Sequence, residues 1–311
     1  MVPALPSLLA LIGGNEDRLT PGTVLRDLVA ACRAERHAAR PADAALRLVV
    51  LSTASGEPEF LWSQYEPAFR ALGAEPRWLD IRERAAAAHP DTLAALRDAD
   101  LLFMTGGDQE RLVDIVAGTP LHALILDRHA RGELAIAGTS AGASALGAHM
   151  PVGDLNEQII ALGQPESLHA ALGLLPALVI DQHFAQRRRH ARLMHLVMLS
   201  PRHLGVGVDE DTALLIRPGR GLRVVGSGAV TLIDGSRASE RREGGAPTSA
   251  SASASASTVT STSASPTTSP EPRAVAIEPL GFFLLPSGCA FELSSPSLPA
   301  HLHRVLHAIA G

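Results

Sequence analysis

Short apolar runs at 8–12, 46–52, 76–81, 100–104, 134–137 and 177–180 alternate with segments at 22–35, 61–72, 91–98, 108–117 and 121–131, where apolar residues recur at helical spacing. Runs this short and this apolar read as buried strands, and the stretches between them as crossover helices. Repeated strand-helix-strand units imply a parallel sheet covered on both faces, because each right-handed crossover lays its helix over the sheet. The expected fold is therefore α/β, a flavodoxin-like, doubly wound, mostly parallel sheet. From residue 206 the pattern shortens to β segments at 212–217, 221–226 and 229–233, which predict a short antiparallel extension, and a helix at 299–309 closes the chain. Ligands of such sheets bind beyond the carboxyl ends of the strands, so the segments that follow strand ends are where chemistry is expected.

With 311 residues, 46% of them hydrophobic, the chain can bury a large core. It is read as one catalytic domain over 1–311. Within it, residues 237–273 form a Ser/Ala/Thr/Pro-rich tract with almost no apolar bulk. Such a tract cannot offset its ordering entropy and is expected to be a disordered insertion between two strands. The formal net charge is −5, and no Lys/Arg block carries interleaved aromatics, which argues against nucleic acid and against an anionic membrane as partners. The two cysteines, Cys32 and Cys289, lack CxxC spacing, so neither a disulfide framework nor a zinc site is expected, and a reducing cytoplasm fits best. Pro3 and Pro6 interrupt the N-terminal apolar stretch, and no run of eighteen apolar residues occurs. A soluble protein follows as the expectation.

The strand at 134–137 runs directly into Gly138-Thr139-Ser140-Ala141-Gly142, with a helix expected over 141–150. One serine between two glycines on a strand-to-helix turn is a nucleophile signature. The glycines let backbone pack tightly around the turn, and the free N–H groups of the following helix favour a developing negative charge. After the strand ending at Met104 comes Thr105-Gly106-Gly107-Asp108-Gln109. Bare backbone there can approach a substrate, and the N–H of Asp108 with that of Ala141 would form an oxyanion hole. Taken singly, each turn is equally well a capped helix start.

After the strand ending at Ile180 stands Asp181-Gln182-His183-Phe184-Ala185-Gln186-Arg187-Arg188-Arg189-His190-Ala191-Arg192. His183 has the position for a general base acting on a serine borne by a neighbouring strand. Four arginines in six residues suit two-pronged grip on carboxylates, although a solvated face explains such a run as well. Further on, Asp209-Glu210-Asp211 follows another strand, and one of these acids would orient His183; turn chemistry is the competing explanation.

Taken together, FMTGGDQ (103–109), GTSAGAS (138–144), DQHFAQRRRHAR (181–192) and GVGVDEDTAL (205–214) resemble the cyanophycinase family of serine peptidases. The likeness extends to ALIGGNED near the N-terminus, LVVLSTAS at 48–55 and VTLIDGS ending at Ser236. The resemblance implies a class I glutamine-amidotransferase-like form of the α/β fold. It also implies cleavage of cyanophycin, a polyaspartate carrying arginine on each β-carboxyl, to β-Asp-Arg dipeptides. Carried over by motif, Ser140 is the nucleophile, His183 the base and Glu210 its orienting acid. Gln109, Asp181, Gln182, Arg187, Arg189 and Arg192 are the implied substrate-binding residues, with Asp181 receiving the substrate guanidinium and the arginines its carboxylates. Arg188 falls outside that set. No metal or organic cofactor is implied, and a homodimer is. The order Ser140, His183, Glu210 separates the chain from α/β-hydrolases, whose acid precedes the histidine. Two alternatives stay open: a related aspartyl dipeptidase or β-aspartyl peptide hydrolase, and a non-catalytic binding protein that keeps the pocket.

Overall fold

The computed structural model describes residues 5–18, 22–35, 44–152, 168–236, 280–295 and 300–310. The expected insertion at 237–273 lies outside the described residues. In chain order the first strands are β1 (Leu9–Ile12), β2 (Leu46–Leu51), β3 (Ala74–Leu79), β4 (Leu101–Met104), β5 (Ala135–Thr139), β6 (Gly147–Pro151) and β7 (Leu168–Ala170). They are followed by β8 (Leu175–Gln182), β9 (Leu204–Val208), β10 (Thr212–Arg217), β11 (Gly221–Gly226), β12 (Ala229–Asp234), β13 (Gly281–Pro286) and β14 (Ala290–Glu292).

Eight of these strands form one sheet in the order β14-β11-β10-β1-β5-β4-β2-β3. The β1-β5-β4-β2-β3 portion is parallel throughout, and β10, β11 and β14 continue it antiparallel from β1. Strands β1 and β4 are buried at every position, as expected of strands covered on both faces. On one face, Leu8, Ala10, Ile12, Leu48, Val50, Phe103 and Ala137 pack against α1 (Thr23–Ala34) and α2 (Pro58–Ala71). Helix α1 shows why the periodicity was informative: Val24, Leu25, Leu28, Val29 and Cys32 fall on one stripe and are all buried.

The opposite face carries Leu9, Leu11, Val49, Leu51, Leu102, Met104 and Ile136. Some of its cover is helical, from α3 (Pro90–Asp98), α4 (Gln109–Val116) and α5 (Pro120–Ala130). The rest comes from a second sheet, ordered β13-β12-β9-β8-β6-β7, whose Leu178, Ile180, Val206, Val208, Val230 and Leu232 join the same core. Its outer face is covered by Phe184 and by α7 (His190–Leu199). The chain closes with α8 (Ala300–Ala310).

Two features depart from the expected pattern. The strand at 177–180 belongs to this second sheet, paired with β6 and β9, and not to the sheet that carries β5. The helix expected over 141–150 stops at Ser144, giving a one-turn α6 (Ala141–Ser144), and the chain turns into β6. Alanine favours helix, but Gly142 and Gly147 weaken that preference and tertiary context readily overrides it, as pairing with β8 does here. Gly147 permits that pairing, since a Cβ there would lie 2.8 Å from the Leu178 carbonyl oxygen.

Candidate active site

The ends of β1 and β5 from one sheet and of β8 and β9 from the other meet at one edge. Parallel pairing aligns Ile12 of β1 with Thr139 of β5, so Gly13 and Ser140 emerge side by side. In the second sheet Gln182 is aligned with Val208, which brings out His183 beside Asp209. The Gly13–Gly14 turn joins the two groups: the Ser140 N–H donates to Ile12 O at 2.9 Å, the His183 N–H to Gly13 O at 2.8 Å, and the Asp211 N–H to Gly14 O at 2.9 Å. Gly14 has φ +95°, and a Cβ on it would lie 2.4 Å from His183 Cε1, so the imidazole rests directly on bare backbone.

Ser140 sits at φ 52°, ψ −115°, and His183 at φ 47°. Non-glycine residues in such regions cost about 1–3 kcal/mol each and are held by their surroundings. For Ser140 the surroundings are the flanking glycines. A Cβ on Gly138 would lie 2.2 Å from Gly142 O, and one on Gly142 would lie 2.4 Å from Met104 O. Beneath the serine, buried Glu16 accepts from Thr139 Oγ1 at 2.6 Å and from the Tyr65 hydroxyl. Burial and the Glu16 charge hold the Tyr65 phenol well above its ordinary pKa, so it remains a donor.

The expected trio comes together. Ser140 Oγ lies 2.9 Å from His183 Nε2, and His183 Nδ1 lies 2.7 Å from Glu210 Oε1. Burial lowers the His183 pKa and outweighs the upward pull of Glu210, while Arg187 and Arg189 add to the lowering. The ring is therefore neutral at pH 7, with Nε2 able to accept the serine proton. Partial burial pushes Glu210 up, but hydrogen bonds from His183 and Asn15 and the neighbouring positive charges hold it below the ordinary carboxylate value. Of the three adjacent acids only Glu210 faces the ring. Asp209 instead accepts from the Ala185 and Ala229 N–H groups, each at 3.0 Å, and so fixes the loop behind it.

Sequence reasoning missed Asn15, whose Nδ2 donates to Glu210 Oε2 at 3.1 Å. It also missed Glu16 and Tyr65 as the support of the Ser140 turn. The available signal was the polar run behind the paired glycines of ALIGGNED, which follows a strand end like the other motifs.

Two expectations need correction. The Asp108 N–H is not free for an oxyanion, because it donates to Ala54 O at 2.7 Å; the Asp108 carboxylate caps α4 instead. Gly106 takes its place against the serine: a Cβ there would stand 3.2 Å from Ser140 Cβ. Among the described residues the Gly106 and Gly107 N–H groups have no acceptor, and Ala141, the first residue of α6, has none within its helix.

The second correction concerns the arginine segment. Asp181 is fully buried, and both its oxygens are engaged: Arg189 Nη1 donates to Oδ1 at 3.1 Å, Arg192 Nη2 to Oδ1 at 2.6 Å and Arg192 Nε to Oδ2 at 2.8 Å. Paired with two guanidinium groups and 0% exposed, Asp181 presents no free carboxylate oxygen to the surface in this structure. Arg189 also donates to Gln182 O and Oε1, Gln182 Nε2 reaches Gln109 Oε1 at 3.5 Å, and Gln109 donates to Pro151 O. Asp181, Arg189 and Arg192 thus clamp β8 to α7, and Gln109 and Gln182 tie that clamp to the ends of α4 and β6. Arg187 is different: it is exposed and near enough to lower the pKa of both His183 and Glu210. Arg188, at φ 53°, lies in the turn that leads from β8 into α7.

In front of Ser140 opens a cleft of about 630 Å³. Its walls come from Gly14, Asn15 and Arg18, from the 55–61 segment with Tyr65, and from Gly106 and Gly107, with Ser140, His183 and Glu210 at its floor; the six expected binding residues do not line it. Among the described residues no group of three or more His, Cys, Asp or Glu side chains is arranged to hold a metal, and no helix is long and apolar enough to cross a membrane.

The model of peptidase family S51 matches residues 41–224. Cyanophycinases from Trichormus variabilis and Geminocystis herdmanii are each 33% identical over 246 residues, covering 77% of this chain and 78% and 85% of theirs. One from Thermosynechococcus vestitus is 36% identical over 235 residues, 73% of this chain and 68% of its own. A crystal structure of a peptidase from an acI-B1 actinobacterium superposes with a TM-score of 0.60 at 24% identity, over 74% of this chain and 92% of that one, a likeness of fold.

Proposed function

Because this chain belongs to peptidase family S51, we propose that it is a cyanophycinase in which Ser140, His183 and Glu210 are the catalytic residues. The observation that carries the mechanism is the unbroken hydrogen-bond line from Ser140 Oγ through both nitrogens of His183 to Glu210, at 2.9 and 2.7 Å. As a substrate amide settles over Ser140, His183 Nε2 takes the hydroxyl proton and Oγ attacks the α-amide carbonyl of an aspartyl unit. The imidazolium that forms is stabilised by the Glu210 carboxylate, itself held by Asn15. The carbonyl oxygen becomes an oxyanion served by the Ala141 N–H and the free N–H groups of the Gly106–Gly107 turn. His183 returns the proton to the leaving amine. Water, deprotonated by His183, then attacks the acyl-enzyme ester, and as the C–O bond breaks His183 returns that proton to Ser140 Oγ, freeing the β-Asp-Arg product and restoring the enzyme.

Arg187, exposed beside the triad, is the member of the arginine segment best suited to meet a substrate carboxylate. Arg189, Arg192, Asp181, Gln182 and Gln109 serve by positioning His183, which directly follows the clamped strand. The family's homodimeric form and a cytoplasmic location complete the reading. The homodimer is supported by the edge strand β13, which exposes Phe282 and Leu284. Incubating the purified protein with cyanophycin and identifying products by mass tests the activity. Release of β-Asp-Arg is expected, and none from a folded preparation, a separate aliquot of which reacts at Ser140 with a serine-directed acylating probe, would overturn the assignment.

A further inference from the structure

Helix α8, which closes the chain, buries Val305, Leu306 and Ile309 in the core shared by the two sheets. Its last residue is tied to the turn after β10, where the Gly219 N–H donates to Ala310 O. His303 and His307 lie outside the buried stripe, the first half-buried and the second exposed. A spacing of four residues is one helical turn and sets two side chains above one another on the same face. The ring centroids are 4.3 Å apart, and the two Nε2 atoms face each other at 3.2 Å. Among the described residues neither ring has another hydrogen-bonding or acidic partner.

Two facing ring nitrogens can share only one proton, so one donates and the other accepts. A metal ion between them would engage both lone pairs at once. With metal–nitrogen bonds of about 2.0–2.1 Å, the observed 3.2 Å separation subtends about 100–105° at the metal, near the tetrahedral angle. The pair therefore stands at chelating distance without any movement of the helix. His149 and His203 also pack together, but their centroids are 5.1 Å apart and His203 Nδ1 is engaged by Ser200 Oγ at 2.6 Å.

We propose that His303 and His307 form a chelate for a divalent ion of the zinc and copper class, bound through both Nε2 atoms with water completing its coordination. The proton on the donating Nε2 passes through solvent to Nδ1 of the same ring, so both imidazoles stay neutral and no net proton is released. Imidazole suits Cu²⁺, Ni²⁺ and Zn²⁺, whereas Mg²⁺ and Ca²⁺ require oxygen ligands. Neither histidine lines the cleft in front of Ser140, and the ion would cross-link one turn of α8.

Metal-free protein is titrated by calorimetry with Cu²⁺, Zn²⁺ and Mg²⁺ separately, and pulsed electron paramagnetic resonance of the protein with one equivalent of Cu²⁺ counts the coordinated imidazoles. Two imidazoles are expected in the parent, and one at most in His303→Ala or His307→Ala. Because two linked ligands gain about 10²–10⁴ over one, either variant should lose at least about 100-fold in affinity for Cu²⁺ and Zn²⁺. Alanine on a helix surface preserves the helix, which circular dichroism verifies for each variant. His89→Ala, which removes an exposed histidine paired with Asp91, should leave binding unchanged. Saturating Zn²⁺ should raise the Tm of the parent more than that of either variant. Affinity kept within about threefold in both variants, a single imidazole in the parent, or Mg²⁺ binding as tightly as Zn²⁺ would each overturn the assignment.

Discussion

Replacing Glu210 by Gln probes the site where hydrogen-bond polarity is most constrained. Both carboxylate oxygens are acceptors: Oε1 faces His183 Nδ1 at 2.7 Å, and Oε2 receives Asn15 Nδ2 at 3.1 Å. An amide of the same shape has one acceptor and one donor, so one of the two partners must meet an N–H. If it is His183, Nδ1 becomes the acceptor and Nε2 carries the proton, which leaves the ring unable to take a proton from Ser140. The analogous tautomer error in serine peptidases costs about 10⁴ in kcat. If instead Asn15 rotates to absorb the mismatch, the tautomer is kept, but the charge that stabilised the imidazolium is still lost. A fall in kcat of about 10³–10⁴-fold, or about 4–5.5 kcal/mol, is expected with KM little changed.

The pH profile carries a second signature of the same change. His183 already titrates below its ordinary value because burial outweighs the upward pull of Glu210. Catalysis needs the neutral ring, so kcat/KM falls as pH drops through that lowered value. Removing the carboxylate removes a raising contribution, and the residual acid limb should move to still lower pH. Adding Asn15→Asp to Glu210→Gln restores an acceptor for the amide N–H and should recover at least about tenfold in kcat. Steady-state and single-turnover kinetics on cyanophycin from about pH 5 to 9 would measure all three effects. Retention of kcat within about threefold in the single variant, or an acid limb moving upward, would refute the assigned role of Glu210.

Ser140→Ala should abolish product release with an unchanged far-UV circular dichroism spectrum, and turnover retained in it would exclude the acyl-enzyme route. Gly14→Ala should reduce kcat by about 10²-fold or more, because the added Cβ would occupy a point 2.4 Å from His183 Cε1 and push the ring off Ser140; an unaffected rate would show that the ring is not seated on this glycine. Arg192→Ala should destabilise the fold by about 3 kcal/mol in urea titration, since it strips two of the three arginine hydrogen bonds from the fully buried Asp181 carboxylate. A loss below about 1 kcal/mol would refute the clamp and return Arg192 to the substrate-binding role that the resemblance implied.

Strand and helix periodicity, glycine punctuation and strand-end motifs determined a great deal without any coordinates. Local signals sufficed for the α/β alternation, and for the placement of Ser140, His183 and Glu210 after strand ends, because each depends on residues close in the chain. The closeness of Gly138 and Gly142 to their neighbours was likewise legible from their spacing about the serine. What sequence could not decide was partnership between distant segments. An Asp beside several arginines reads equally as an open pocket or as a closed clamp, and only packing revealed that Asp181 is buried with both oxygens engaged. The division into two sheets was hidden for the same reason, since an apolar strand carries no mark of which sheet it joins, and pairing energies override weak helix propensity in the segment after Ser144. The loss of the Asp108 N–H to Ala54, and the gain of Asn15 at the site, were settled by residues far apart in sequence. Chemistry-bearing residues are written locally, but which of their hydrogen-bonding groups remain free is a property of the folded whole.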